Sequence, residues 1–359
     1  MKAAVLREIG SLSIEDVGLD GPNPDEVRVR VLASGLCHSD YHMIVGDLPT
    51  SLPAVLGHEA AGVVEAIGAN VRGIKKGDFV TTCASAYCGQ CRECQTGHTH
   101  MCDDKPGKPT DRDIGSRLTL GGQPVYQMGN LGGFAEEMVV HQKAVAKIPE
   151  GVPPEAAALM GCAVLTGVGG VLNGAKVEPG ATVAVIGCGG VGLNVIQGAR
   201  IAGASRIIAV DVVQAKLDLA REFGATDTVL GGPDAVGEVV EMTGGGVDYA
   251  FEVIGLASTM QQAFAMLRKR GTAMLMGVAK SGAELTVPIF PFIFKEVRIA
   301  SSMMGSSPFQ LFLPQLARYY LNGQLKLDEL VSHRIKLEEI NEGYARMASG
   351  AATRNVIVF

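Results

Sequence analysis

Val27, Val29 and Val31 alternate with Arg28, Arg30 and Leu32, the period of two that marks a half-buried β-strand. Residues 62–68 and 78–82 read as further short strands bounded by glycine or Lys-Gly turns. The chain continues this way to about residue 150, and many short strands with Gly and Pro punctuation predict a small barrel or sandwich. Near Pro179 the pattern changes. Residues 181–186 form a largely apolar strand, 187–192 a glycine turn and 193–202 a helix. The next strand is 206–211, and a helix over 216–223 stops at Gly224. Strands over 247–253 and 272–278 enclose a helix over 259–269. Alternating strand and helix predict βαβ units on a parallel sheet. The C-terminal part carries helices around 314–321 and 337–347 and a closing strand over 355–359.

Composition narrows the class. The 359 residues allow one large or two medium domains. Nearly half are apolar and 19% are charged, a globular balance with ample core material. A net charge of −6 without a Lys/Arg cluster argues against nucleic acid and anionic membranes as partners. The N-terminus meets charges at Lys2, Arg7 and Glu8 before an apolar signal core could form. No run of roughly 18 residues is read as apolar throughout, so no spanning helix and a cytoplasmic protein are expected. Eight cysteines in that setting point to metal binding or chemistry, not to a disulfide framework.

Gly187-Cys188-Gly189-Gly190-Val191-Gly192 fits G-x-G-x-x-G, follows a predicted strand and opens a predicted helix. Gly187 permits the tight turn, Gly189 lets backbone approach a pyrophosphate, and Gly192 lets helix and sheet pack closely. Asp211 ends the next strand, where a carboxylate accepts hydrogen bonds from an adenosine ribose diol and repels a 2′-phosphate. A dinucleotide site selecting NAD over NADP is expected; the plainer reading is an ordinary glycine-rich turn.

Cys88, Cys91, Cys94 and Cys102 lie close enough in sequence for one site, and four thiolates in a closed tetrahedron are a structural zinc site. Iron–sulfur ligation or reduced bystander thiols would also fit the spacing. Cys83 and Cys188 read as spare thiols. A second constellation is dispersed: Gly35-Leu36-Cys37-His38-Ser39-Asp40-Tyr41-His42, then Gly57-His58-Glu59, then Gly161-Cys162. Two cysteines and a histidine would hold zinc with one position open, the arrangement of catalytic sites. Singly, each has a plainer reading as a small buried hydrophobe or a structural histidine. His98, His100, His141 and His333 suggest surface or capping roles.

Taken in order, Cys37-x-Ser39, Gly57-His58-Glu59, the four-cysteine cluster, Gly161-Cys162 and the 187–192 loop with Asp211 resemble the zinc-containing alcohol dehydrogenases of the medium-chain dehydrogenase/reductase superfamily, in particular the liver-type, long-loop branch. The resemblance covers essentially the whole chain. It implies an α/β fold class: a Rossmann dinucleotide-binding domain plus a GroES-like β-rich catalytic domain. The implied divisions are a catalytic domain over 1–163, an NAD-binding domain over 164–302 and a C-terminal segment over 303–359 that returns to the catalytic domain. It also implies two zinc ions per chain, NAD, a small alcohol or carbonyl substrate and a homodimer joined through the strand region 296–303.

The resemblance assigns roles residue by residue. Cys37, His58 and Cys162 look like catalytic zinc ligands, and Cys88, Cys91, Cys94 and Cys102 like the structural set. Glu59 resembles the acid that can approach the metal, and Asp40 a partner that orients His58. Ser39 would take the alcohol proton and pass it through the cofactor ribose to His42. His38 and Arg354 would bind the pyrophosphate, Lys216 the adenosine ribose. Thr166 and Val191 would press on the nicotinamide, while Gly187, Gly189, Gly190, Gly192, Asp211 and Val278 complete the cofactor site. Zinc would acidify the bound alcohol and hydride would pass to NAD, giving an aldehyde or ketone.

Ala84 stands where relatives often hold a bulky aromatic, and Gly107 and Gly129 are also small. With Ser39 they suggest a roomy pocket for bulky or aromatic primary or secondary alcohols. A thiol-dependent formaldehyde dehydrogenase is the nearest rival. It favours a basic residue just after the fourth cluster cysteine, where this chain has Asp103 and Asp104 first, then Lys105 and Lys108. A carbonyl reductase working in reverse is a second rival, and a non-enzymatic structural zinc protein on the same fold a third. An intact Ser39/His42 pair argues against the last.

Overall fold

The computed structural model describes residues 1–106, 117–350 and 353–359; Gly107 and Lys108 lie outside the described residues. The chain divides into two compact units, Met1–Cys162 with Pro308–Phe359, and Ala163–Ser307.

The first unit is built on two sheets. The strand Glu26–Gly35 is central to the larger one and shows the alternating burial that its valines predict. It pairs antiparallel with Glu59–Ile67, Glu137–His141 and the C-terminal strand Arg354–Val358. The last pairing, Val356 opposite Gly35, ties the end of the chain to its beginning. The smaller sheet orders Ser13–Asp16, Lys2–Leu6, Ala54–Val55, Gln123–Gln127, Leu118–Leu120 and Gly18–Leu19. A core of Leu6, Leu36, Val55, Phe134, Ile340, Tyr344 and Ile357 joins N-terminal and C-terminal segments.

The second unit is a six-stranded sheet ordered Asp227–Leu230, Arg206–Asp211, Thr182–Ile186, Val247–Glu252, Leu267–Leu275, Arg298–Ser301, with every pairing parallel. In sequence rank this is 3-2-1-4-5-6, the doubly wound dinucleotide-binding order, whose ligand crevice lies where strands 1 and 4 diverge. The central strands are buried on both faces, which explains why Thr182–Ile186 reads as apolar rather than alternating.

Several boundaries differ from the sequence reading, by most in two places. The helix expected over 259–269 is Ala257–Ala265, and the following strand begins already at Leu267. Arg270 adopts a φ of 64° and the register shifts between Val247 and Tyr249, so a polar Arg-Lys-Arg run is accommodated at an irregular strand start. The helix expected around 314–321 runs Phe309–Leu321 with Pro314 inside it. The expectation that no stretch is apolar and long enough to span a membrane is also corrected. Pro154–Ala175 is continuously helical and meets that criterion by length and composition, because Ala, Gly and Val dominate it. Of its most apolar window, 83% is buried in the protein, as in a core helix.

Candidate active site and metal centres

Each thiol or imidazole of the dispersed constellation is placed by a local backbone device. Cys37 follows the end of the central strand and directly precedes the helix His38–Ile44. His58 follows Gly57, whose φ of 91° suits glycine; a Cβ there would stand 2.7 Å from the Phe134 backbone nitrogen. Cys162 lies in a π-helical turn, Met160–Val164. A Cβ on the preceding Gly161 would fall 1.9 Å from the Thr82 carbonyl oxygen, so only glycine lets this turn approach the strand Phe79–Thr82. Gly35 has the same function beside Glu59, since its Cβ would meet Glu59 Oε2 at 2.4 Å. Thr82 Oγ1 accepts a hydrogen bond from Ala60 N at 3.1 Å and fixes the strand that follows His58.

The ligand atoms of Cys37, His58, Glu59 and Cys162 all lie within 4.8 Å of one another; Cys37, His58 and Glu59 are buried and Cys162 is half-buried. His58 Nε2 is 3.3 Å from Cys162 Sγ. On the other side of the ring, His58 Nδ1 lies 3.0 Å from Asp40 Oδ2, while Asp40 Oδ1 accepts the Gly57 N–H at 2.9 Å. Asp40 thus holds both the ring and the turn that presents it. Glu59 is fully buried, and its counter-charge is Arg354, whose Nη1 stands 3.5 Å from Oε1 and donates to the Leu36 carbonyl at 3.0 Å.

The electrostatics follow from that crowding. A hydrogen bond from the Cys162 thiol holds Cys37 well below the usual thiol range, against the effect of burial and with help from His58 and Arg354. The same bond, with burial, raises Cys162. Burial pushes His58 down, but Asp40 and Cys37 outweigh it and the net shift is upward. Burial pushes the Glu59 carboxyl up to about 8, with Arg354 pulling the other way. Concentrated negative potential with one imidazole is the environment a divalent cation neutralises.

The donor set fits zinc. Sulfur, sulfur and nitrogen converge within one coordination sphere, and the 3.3 Å from His58 Nε2 to Cys162 Sγ is close to an ideal tetrahedral N···S edge of about 3.5 Å. The second group fits a closed site. The Sγ atoms of Cys88, Cys91, Cys94 and Cys102 lie within 4.8 Å of one another. The Cys88–Cys94 and Cys91–Cys102 separations are 3.9 Å each. A tetrahedron with metal–sulfur bonds of about 2.3 Å has edges of about 3.8 Å, whereas a disulfide needs about 2.05 Å. All eight cysteines are free of disulfides. Cys83 and Cys188 are buried, with thiols pushed up to about 11 and about 12 chiefly by burial, which disfavours the reactive thiolate at either position.

The other residues singled out in the sequence fall as follows. Ser39 and His42 are one turn apart on the helix His38–Ile44, half-buried, and His42 Nδ1 is 3.1 Å from Asp47 Oδ2. His38 is exposed at the start of that helix. Ala84 and Gly129 adjoin, since a Cβ on Gly129 would lie 3.1 Å from Ala84 Cβ. Arg354 is 4% exposed and engaged with Glu59 and Leu36.

In the second unit the glycine turn leads from Thr182–Ile186 into the helix Gly190–Ile201. Gly187 has a φ of 102°, and a Cβ on Gly192 would sit 1.8 Å from the Gly187 carbonyl oxygen. A Cβ on Gly189 would meet nothing within 4 Å, the open approach that a phosphate-binding turn needs. Asp211 ends its strand with Oδ2 accepting the Cys188 N–H at 2.8 Å and Oδ1 the Val213 N–H at 3.0 Å. The acid is therefore bound to the glycine turn itself. Val191 opens the helix, Thr166 lies on Leu165–Gly169 packed against it, Lys216 is half-buried on Gln214–Phe223, and Val278 is 58% exposed just past a strand end.

Four contributors were not anticipated from sequence: Gly35, Thr82, Phe134 and the Arg354–Glu59 pairing. Gly35 was visible as part of Gly-x-Cys, but its contact with Glu59 is set by tertiary packing. His100, expected at the surface, is 6% exposed, packed edge-on to His98 at 6.1 Å. His141 does cap, accepting the Lys143 N–H at 3.1 Å.

Comparison with known proteins gives the same fold class and family. Residues 23–150 match the model of the alcohol dehydrogenase GroES-like domain, and residues 190–318 that of the zinc-binding dehydrogenase. The chain is 39% identical over 369 residues to an alcohol dehydrogenase class-3 of Oryza sativa subsp. japonica, covering 99% of this chain and 96% of that one. The structure of an alcohol dehydrogenase zinc-binding domain protein from Burkholderia ambifaria aligns with a TM-score of 0.95 at 37% identity, over 100% of this chain and 98% of that one. The benzyl alcohol dehydrogenase of Acinetobacter calcoaceticus aligns with a TM-score of 0.94 at 31% identity, over 100% and 99%. The expected α/β class, a GroES-like domain with a Rossmann domain, is borne out. With its two zinc-competent ligand groups, its doubly wound sheet and these full-length likenesses, the chain belongs to the zinc-containing alcohol dehydrogenases of the medium-chain dehydrogenase/reductase superfamily and is an enzyme.

Proposed function

We propose that this enzyme oxidises a bulky or aromatic primary or secondary alcohol to its aldehyde or ketone, reversibly, with NAD as hydride acceptor and two zinc ions per chain. The observation that carries the reading is the convergence of Cys37, His58 and Cys162, three zinc-type donors of which the imidazole is oriented by Asp40. When bound, zinc supplies Lewis acidity to the alcohol oxygen and the nicotinamide supplies hydride acceptance. Cys37, His58 and Cys162 hold the metal. Ser39 takes the alcohol proton at its Oγ, and His42, one turn on and braced by Asp47, returns a proton to solvent. Glu59, balanced by Arg354, stands beside the three donors and would offer the metal a further oxygen ligand. The four-thiol group holds the second zinc.

Selection of NAD rests on Asp211, a carboxylate at the strand end that repels a 2′-phosphate. The bulky-substrate reading rests on Ala84 and Gly129, two adjoining residues of minimal volume. The benzyl alcohol specificity named for the Acinetobacter relative is in keeping with it. A homodimer extended through the edge strand Arg298–Ser301 is supported by the neighbouring exposed apolar residues Ile289, Phe290, Ile293 and Phe294.

A second reading, oxidation of a thiol–formaldehyde adduct, is favoured by the half-buried Lys105, three residues beyond Cys102. A panel of ethanol, hexanol, benzyl alcohol, cyclohexanol and formaldehyde with and without a thiol carrier, read by NADH absorbance, decides between them. The first reading expects strongest turnover with benzyl alcohol and cyclohexanol. Turnover with formaldehyde plus thiol alone would replace it with the second.

A further inference from the structure

The four-thiol lobe has little apolar material of its own: of its two short helical turns, Arg92–Gln95 buries no residue and Thr99–Met101 buries only His100. What holds its root is a polar and aromatic clamp. The Lys143 ammonium donates to the Cys88 carbonyl at 2.7 Å and lies 5.3 Å from the centroid of the Tyr87 ring. Tyr87 is gripped from its other end. Its hydroxyl donates to Gln310 Oε1 at 2.6 Å, and its ring meets Phe309 edge-on at 6.3 Å. Gln310 Nε2 in turn donates to the Val145 carbonyl at 2.9 Å, two residues beyond Lys143. Lys143 itself is fixed by its backbone N–H, which donates to His141 Nδ1.

The clamp acts on the first thiol of the set. The Cys88 N–H donates to Cys102 Sγ at 3.2 Å, and Cys88 Sγ accepts from Gln90 N and Cys91 N at 3.3 Å each. With its carbonyl held by Lys143, Cys88 is fixed at nitrogen, sulfur and oxygen, so the direction of its thiol is set.

Resting on the reading that the four-thiol group holds zinc, we propose that Lys143 is a positioning residue: by clamping Cys88 against Tyr87 it sets how long the metal stays in the lobe. Its carbonyl contact is charge-assisted and its ring contact is a cation–π pair. Loss of both lets the Cys88 peptide swing, opening one edge of the tetrahedron to a competing chelator.

The test measures zinc release into excess chromogenic chelator from the full chain. It is made in a His58→Ala background, so that the zinc counted is that of the four-thiol group. Lys143→Met keeps the stem and removes the charge, and should release zinc about tenfold faster. Lys143→Arg should restore the rate to within about threefold, since it keeps both charge and donor. Tyr87→Phe, which keeps the ring and loses only the Gln310 bond, should fall between. NAD binding to the Ala163–Ser307 unit, followed by fluorescence, should be unchanged in all three. Release from Lys143→Met at the parental rate would overturn the clamp. A parental protein with no zinc in this background would instead overturn the metal assignment of the four thiols.

Discussion

Replacing Asp40 by Asn tests the catalytic metal group from a residue that does not touch the metal. Asp40 is 0% exposed, accepts the Gly57 N–H through Oδ1 and faces His58 Nδ1 through Oδ2 at 3.0 Å. A carboxylate at Nδ1 keeps the ring proton there and leaves the Nε2 lone pair, 3.3 Å from Cys162 Sγ, available for zinc. Asparagine cannot satisfy both partners. If its amide oxygen stays on Gly57, its NH2 faces Nδ1 and drives the proton to Nε2, where the metal should bind. If it flips, NH2 opposes the Gly57 N–H. One charge-assisted hydrogen bond is lost either way, about 1.5–3 kcal/mol, which corresponds to a weakening of zinc binding of about 10–100-fold. Chelator competition measures it on both zinc ions of one chain, with the four-thiol zinc as internal reference. The weaker zinc should shift and the tighter one stay. A variant whose two zinc affinities both match wild type to within about twofold would refute the orienting role.

Three further outcomes follow from the structure. Gly192→Ala puts a Cβ 1.8 Å from the Gly187 carbonyl oxygen, so thermal unfolding should show a loss of about 1–3 kcal/mol or more and NAD affinity should fall; an unchanged melting temperature and Kd would contradict the geometry. Asp211→Ser removes the charge and two backbone contacts, so the NAD-to-NADP preference in kcat/KM should drop by at least about tenfold, and an unchanged ratio would sink the selectivity argument. Asp227 is held at about 2, first by its hydrogen bond from Arg206. Its folded pKa lies below the unfolded value of about 3.9, so its stabilisation is present above that value and disappears as pH falls towards 2. Asp227→Asn should therefore lower the melting temperature at pH 7 by more than at pH 2.5, and a gap independent of pH would contradict the pairing.

The elements legible in the sequence are those whose signal is local. The strand around Val29 announced itself by alternation, the helix ending at Phe223 by Gly224 with its φ of 116°, and the nucleotide turn by three glycines. Both ligand groups were readable because metal coordination restricts residue type more tightly than packing does. What escaped notice depends on contacts between distant segments. The need for Gly35 is visible only once Glu59 lies against it, and the partnership of Arg354 with Glu59 exists because the last strand pairs with the central one. The strand start at Leu267 was hidden by Arg268, Lys269 and Arg270, which look helical in isolation but lie along a sheet already defined by its neighbours. Pro154–Ala175 shows the converse: its apolarity is easily missed because glycine and alanine, not leucine, supply much of it.

The central claim is that Cys37, His58 and Cys162 hold a zinc without which no hydride is transferred. Zinc content and NADH formation from benzyl alcohol, measured together on the wild-type chain and on His58→Ala, test it most directly. The account predicts two zinc ions and turnover for the wild type, and one zinc with no NADH for the variant. A variant that has lost that zinc and still forms NADH at the wild-type rate would contradict it.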